Sequence, residues 1–194
     1  KDDIKFNKEK ELLTFDKKNN DSNLGNFKHY MLKEIYEEEN VVKNIINYYL
    51  KDEETFLKRV INLNNYDKID IVACGSAYHA GMIGKYILED KVDVRIDVAS
   101  EYRYRKHLDF KNSLLIFISQ SGETADTLAC LSNDKNIDSL GIVNVETSRL
   151  ARETKYQMFL KCGSEVAVAT TKAYLSQVLM MKLLRYRLDN DYQK

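Results

Sequence analysis

The sequence predicts an α/β fold: a five-stranded parallel sheet flanked by helices, with an N-terminal helical extension. After residue 66, short runs of β-branched and aliphatic residues alternate with helical segments, the pattern of a parallel sheet covered on both faces. A cluster of Gly, Ser, Asn, Asp or Glu follows each run, which places a turn at every strand end. The 194 residues suffice for one substantial core and are too few for two full-sized domains and a linker.

Residues 1–26, rich in Lys, Asp and Asn with little periodicity, read as a linker-like lead-in. From Phe27 to Leu50 the apolar residues Tyr30, Met31, Ile35, Val41, Val42, Ile45, Ile46 and Tyr49 recur mostly at helical spacing, with Lys33, Glu34, Glu37 and Glu38 on the remainder. That predicts a long amphipathic helix whose apolar surface exceeds what one small domain covers, and hence a homodimer contact. A shorter helix is expected from Glu53 to Leu63, ended by Asn64-Asn65, so residues 27–66 form a helical segment ahead of an α/β domain at 67–194.

Within that domain Ile69–Ala73 leads through Cys74-Gly75-Ser76-Ala77 into a helix from Tyr78 to Leu88. Val92–Val98 leads into a short helix after Ala99-Ser100-Glu101, and Ser113–Ile118 leads into a loop at 119–124 and a helix from Ala125 to Leu131. Leu140–Val145 precedes a helix around Leu150, and Tyr156–Leu160 precedes a long helix from about Val168 to Leu188. Ligands of such sheets bind beyond the carboxyl ends of the strands at a topological switch point, so Gly75, the 119–124 loop and the 163–171 segment are expected to converge on one pocket.

The loop Ser119-Gln120-Ser121-Gly122-Glu123-Thr124 carries the most chemistry. It joins an apolar strand to a fresh helix N-terminus, where unpaired N–H groups and the helix dipole favour an anion. It lacks the G-x-x-x-x-G-K-[ST] pattern and lysine of a nucleotide loop, which points to a phosphosugar rather than ATP. The competing reading is an ordinary N-capped connection, which uses the same residue types.

Composition excludes several classes. Lys plus Arg and Asp plus Glu are both 30, interspersed along the chain, which argues against a nucleic-acid partner, and the Arg103, Arg105, Lys106 cluster reads as a solvated helix face. No apolar run reaches the ~20 residues that span a bilayer, and Lys1-Asp2-Asp3 is no signal peptide, so no membrane partner and a cytoplasmic location are expected. Cys74, Cys130 and Cys162 are odd in number and read as packed thiols of a reducing compartment. Without C-x-x-C or paired His, no metal site is expected.

Four segments in order carry a family likeness: Cys74-Gly75-Ser76, Ala99-Ser100-Glu101-Tyr102-Arg103-Tyr104-Arg105, Ser119-Gln120-Ser121-Gly122-Glu123-Thr124-Ala125-Asp126-Thr127 and Ala167-Val168-Ala169-Thr170-Thr171-Lys172-Ala173. With His29-Tyr30-Met31-Leu32-Lys33-Glu34-Ile35, they resemble the sugar-isomerase (SIS) part of the glutamine–fructose-6-phosphate aminotransferase (glucosamine-6-phosphate synthase) family over nearly everything after residue 26. The 119–124 loop alone is shared by many SIS proteins, whereas the whole set is more specific. The resemblance implies a flavodoxin-like three-layer sandwich that binds fructose 6-phosphate or glucosamine 6-phosphate for amino-sugar and UDP-N-acetylglucosamine synthesis, as a dimer and without a cofactor. In it Ser119, Ser121 and Thr124 give hydroxyls and Gln120 an amide to the phosphate, while Gly75, Ser76, Gly122 and the backbone at Val168 complete the substrate site. The family commonly reads Cys-Gly-Thr-Ser at the first loop. Ala77 here removes one hydroxyl, and with it a hydrogen bond worth about 0.5–1.5 kcal/mol.

The same resemblance assigns the glutaminase cysteine and the acid/base glutamate, histidine and imine-forming lysine to other modules, so this chain reads as a fragment that binds without catalysing and has no catalytic residue of its own. Alternatives are a stand-alone phosphosugar-sensing module, or a deaminase or deglycase using the same cradle. Cys74 is expected as a packed thiol, and Glu123 and Glu165 as capping carboxylates. Lys172 is expected to be solvated rather than to reach a phosphate. His29, His79 and His107 show no catalytic partner in the sequence.

Overall fold

The computed structural model describes residues 23–105, 111–133 and 137–189. Helices α1 (Tyr30–Tyr49) and α2 (Glu53–Arg59) precede strand β1 (Lys68–Ala73), after which α3 (Gly75–Leu88), β2 (Asp93–Val98), α4 (Ala99–Tyr102), β3 (Ser113–Ser119) and α5 (Ala125–Asn133) alternate. Strand β4 (Asp138–Val143), α6 (Arg149–Glu153), β5 (Tyr156–Phe159) and α7 (Lys172–Asp189) complete the chain. All pairs are parallel and the strand order is β2-β1-β3-β4-β5, the flavodoxin-like winding. The lead-in expected at 1–26 lies outside the described residues up to position 22, as do Lys106 and His107.

Central strand β3 explains the layering. Every residue of Ser113–Ser119 is buried, and successive side chains point to opposite faces. Leu114, Ile116 and Ile118 pack with Val41 and Ile45 of α1 and Met180 and Met181 of α7, whereas Leu115 and Phe117 pack with Leu128, Leu131 and Leu150. Two apolar cores thus sandwich one sheet. On the first face α3 and α7 approach so closely that a Cβ on Gly84 would lie 2.5 Å from Met181 Sδ. Any larger residue there would have to displace the Met181 side chain.

Helix α1 forms where its periodicity predicts, but its buried stripe differs from the expected one. Glu34, Val41, Ile45 and Tyr49 are buried, while Met31, Ile35 and Ile46 are 42–47% exposed. The reason is that Glu34, expected on the polar side, finds backbone donors at 166–167 and turns its stripe inward. At the far end of the same stripe the Tyr49 hydroxyl donates to Phe159 O (2.9 Å) and accepts from Phe159 N (2.6 Å), pairing both backbone groups of that residue of edge strand β5. Burial pushes that phenol far above its ordinary pKa, so it stays a neutral donor and acceptor.

Boundaries shift at three helices. Helix α2 ends at Arg59 rather than Leu63, because Val60 is already extended, and Leu63–Asn65 forms a separate 3-10 turn. Helix α3 starts at Gly75 rather than Tyr78, because Cys74 is already the extended N-cap residue and Tyr78 N donates to Cys74 O. Helix α7 starts at Lys172 rather than Val168, because the Glu165 carboxylate accepts from Thr171 N (2.9 Å) and Ala173 N (3.3 Å) and so caps the helix there.

Candidate functional site

Strand order reverses between β1 and β3, so the loops that leave their carboxyl ends diverge and open a cleft between them. A cavity of about 300 Å³ lies there, lined by Ser76 and Ala77 after β1, by Ser119 at the end of β3 and Gln120, Ser121 and Thr124 after it, by Glu165, Ala167, Val168 and Thr170 from the segment leading into α7, and by Gln177 of α7 itself. Six of the eight expected site residues line it: Ser76, Ser119, Gln120, Ser121, Thr124 and Val168. Gly75 and Gly122 do not. Both adopt positive φ, at +57° and +66°, and shape the backbone of the two loops.

The β3 loop is held by its own side chains. Ser119 Oγ lies 2.9 Å from Thr124 Oγ1 and accepts from Gly122 N (3.0 Å), and Ser121 Oγ accepts from Glu123 N (3.2 Å). One proton joins Ser119 and Thr124, so their second proton is left for a ligand, and the Ser121 proton is likewise uncommitted by these bonds. Helix α5 begins directly after the loop, its first helical bond running from Leu128 N to Thr124 O (3.0 Å). The amides of Ala125, Asp126 and Thr127 therefore have no acceptor within the helix. The hydroxyls of Ser119, Ser121 and Thr124 thus line a cleft beside the start of α5, an arrangement that needs no lysine to receive an anion.

A second tie fixes the loop to the β4–α6 connection. Asn144 N donates to Gln120 O (3.0 Å), Leu150 N donates to Gly122 O (3.1 Å), and Arg149 N donates to Glu123 Oε1 (2.6 Å). Glu123 is a capping carboxylate as expected, although the helix it caps is α6 rather than α5. A Cβ on Gly122 would meet Ser148 Oγ at 2.1 Å, so the loop and the α6 cap touch backbone to side chain.

Across the cleft, Glu165 spends its carboxylate on Thr170 Oγ1 (2.8 Å), Thr171 N and Ala173 N, which leaves it a cap. Lys172 departs from expectation: it is neither solvated nor in the cleft, but buried against Glu37 Oε2 at 2.6 Å. Burial alone would raise the Glu37 carboxyl, yet hydrogen bonds and charge from Lys172 and Lys33 outweigh it and hold it below the usual range. Burial and the neighbouring Glu165 charge push the Cys162 thiol up to about 11, so it is an inert packed group. Cys130 is buried too, whereas Cys74 is half-buried and lines the cleft. His29 is the N-cap residue of α1 without a side-chain cap bond, His79 stacks edge-on against Tyr78, and Arg103 and Arg105 pair with Asp126 and Asp97. Among the described residues no His, Cys, Asp and Glu group could hold a metal ion, and no helix is long and apolar enough to cross a membrane.

Sequence reasoning missed Gln177. It is 3% exposed, lines the cleft, and its Oε1 is buried without a hydrogen-bond partner. The signal was present, because Ala173, Met180, Met181 and Leu184 form the buried stripe of α7 and Gln177 occupies one position of that stripe. A polar residue in an apolar register marks either a satisfied core amide or a ligand contact.

Comparison with known proteins extends these observations. The chain is 45% identical over 176 residues to the glutamine–fructose-6-phosphate aminotransferase (isomerizing) of Chlamydia caviae, an alignment that covers 87% of this chain and 29% of that protein. The chain therefore spans less than a third of that relative's length. Among solved structures, the C-terminal domain of glucosamine–fructose-6-phosphate aminotransferase from Francisella tularensis superposes with a TM-score of 0.76 at 38% identity, covering 87% of this chain and 49% of that one. A glucosamine-6-phosphate deaminase from Thermotoga maritima superposes with a TM-score of 0.69 at 25% identity, over 84% of this chain and 49% of that one. Residues 62–186, which hold the whole sheet and every residue of the cleft, match the SIS domain, and the chain belongs to the SIS family.

Proposed function

We propose that this chain is the phosphosugar-binding SIS domain of a glutamine–fructose-6-phosphate aminotransferase, holding fructose 6-phosphate or glucosamine 6-phosphate in amino-sugar synthesis. The observation that carries the reading is the cleft at the switch point, rimmed on one side by the hydroxyls of Ser119, Ser121 and Thr124 and by the α5 N-terminus. The phosphate sits against these hydroxyls, the Gln120 amide and the first amides of α5. The sugar chain extends past Ser76 towards the backbone at Ala167 and Val168. Similarity at 45% identity to a protein of that name supports the substrate class.

Within this reading the chain binds and does not catalyse. Proton transfer between C1 and C2 of a ketose needs a base free to accept, and the carboxylate that lines the cleft, Glu165, is committed to three donors. The acid/base groups then come from polypeptide beyond these residues. No cofactor is required, residues 27–66 act as a helical segment ahead of the domain, and the setting is cytoplasmic. A second copy covers the exposed side of α1, where Met31, Leu32, Ile35 and Tyr36 are 42–69% exposed. A deaminase acting on an aminated phosphosugar is the second reading, favoured by the Thermotoga maritima likeness.

Calorimetric titration tests the proposal, with glucosamine 6-phosphate, glucosamine, and a Ser121→Ala, Thr124→Ala double variant. Binding of the phosphorylated sugar alone, weakened by about tenfold or more in the variant, is the expected result, since two hydroxyl contacts to an anion are lost. Equal binding by the variant, or no binding at all by the folded wild-type chain, would overturn the reading for this chain.

A further inference from the structure

The two walls of the cleft are held by different means. The 119–124 wall is locked by its own hydroxyls and by the β4–α6 connection. The opposite wall, at 165–170, has no helix or strand of its own, and Val168 on it is fully exposed. Its first residue, Glu165, is tied through its carboxylate to the amides at the start of α7. Its middle is tied to a different element. Glu34 Oε1 accepts from Val166 N (2.6 Å), and both Glu34 oxygens accept from Ala167 N, at 3.2 and 3.3 Å.

Glu34 is 2% exposed. A buried carboxylate needs donors, and hydrogen bonds to an ionised acceptor are about twice as strong as neutral ones. One turn further along α1, Glu37 holds Lys172, the first residue of α7. Two carboxylates of one helix thus clamp both the irregular segment and the helix that follows it. Helix α1 lies wholly before residue 62, where the SIS match begins, and neither carboxylate lines the cleft.

We propose that Glu34 is a positioning residue for the cleft: it fixes the backbone at Val166 and Ala167, and through it the position of the adjoining Val168, as the surface against which the sugar part of a phosphosugar rests, without touching the ligand. This rests on the phosphosugar reading above. It makes α1 part of the binding site by mechanics rather than by contact, and it divides recognition into a phosphate half that α1 does not support and a sugar half that it does.

The test uses the 194-residue chain with Glu34→Gln and Glu34→Ala, titrated with fructose 6-phosphate and with inorganic phosphate. Amide hydrogen exchange is followed at Val166 and Ala167. Expected is a loss of about tenfold or more in fructose 6-phosphate affinity for Glu34→Ala, with inorganic phosphate affinity unchanged and faster exchange at both amides. Glu34→Gln, which keeps one acceptor oxygen, should fall between. It also carries the comparison if the alanine variant does not fold. Wild-type fructose 6-phosphate affinity in a folded variant, unchanged exchange, or an equal loss for both ligands overturns the inference. Failure of the wild-type chain to bind either ligand would instead overturn the phosphosugar reading, so the two failures are distinct.

Discussion

Gly122 couples the 119–124 loop to the body of the domain through a single missing atom. Its φ of +66° lies in the left-handed region, and a Cβ would stand 2.1 Å from Ser148 Oγ, the hydroxyl that caps α6 by accepting from Ala151 N. Gly122→Ala should therefore cost about 2–4 kcal/mol, from the backbone conformation plus the overlap, and shift the urea midpoint down accordingly. It should also weaken phosphosugar binding, because relief of the overlap moves the loop. The glycine itself was legible in the sequence as part of a Ser-Gly-Glu turn. What made it necessary, Ser148, lies a whole βα unit away, and no local pattern carries that. Glu34 and Gln177 were illegible for a different reason: each is a polar residue in the buried register of its helix, and which partner or ligand satisfies it depends on tertiary contact alone.

At the scale of elements, the strands and helices of the α/β region were readable because each central strand is a continuous apolar run closed by small polar residues. The ends were less so. The Val168–Thr171 stretch continues into α7 without a break in the sequence pattern, yet the helix begins only at Lys172, where the Glu165 carboxylate caps it. The burial of α1 was misread over its first half because periodicity cannot tell a buried Glu with backbone donors from a solvated one. Its second half ends on Tyr49, whose hydroxyl serves both Phe159 N and Phe159 O. Tyr49→Phe leaves these two groups unpaired beneath α1 and should destabilise the chain by about 2 kcal/mol, lowering Tm by roughly 4–8 °C in a thermal melt followed by circular dichroism. An unchanged Tm would mean that water replaces the hydroxyl at no cost.

For the whole molecule, strand order could be inferred only as a parallel sheet with one switch point, while the observed β2-β1-β3-β4-β5 order settles which loops meet. The proposed self-association rests on what the fold leaves uncovered. Turning Glu34 inward leaves Met31, Ile35 and Tyr36 outside, so sedimentation velocity should find a dimer that Ile35→Glu with Tyr36→Glu converts to monomer. A wild-type chain that sediments as a monomer at every concentration tested would remove that expectation. The Tyr49 bridge bears on the same question from another direction. A sheet edge with free backbone groups is a template on which another chain can add a strand, and edges are where folded proteins begin to aggregate. At β5 the Tyr49 hydroxyl occupies both Phe159 groups, and at β2 the exposed Asp93 and Arg95 place charges along the other border. One margin of the sheet is thus guarded at Phe159 and the other by charge, which turns assembly of this chain towards its helix faces.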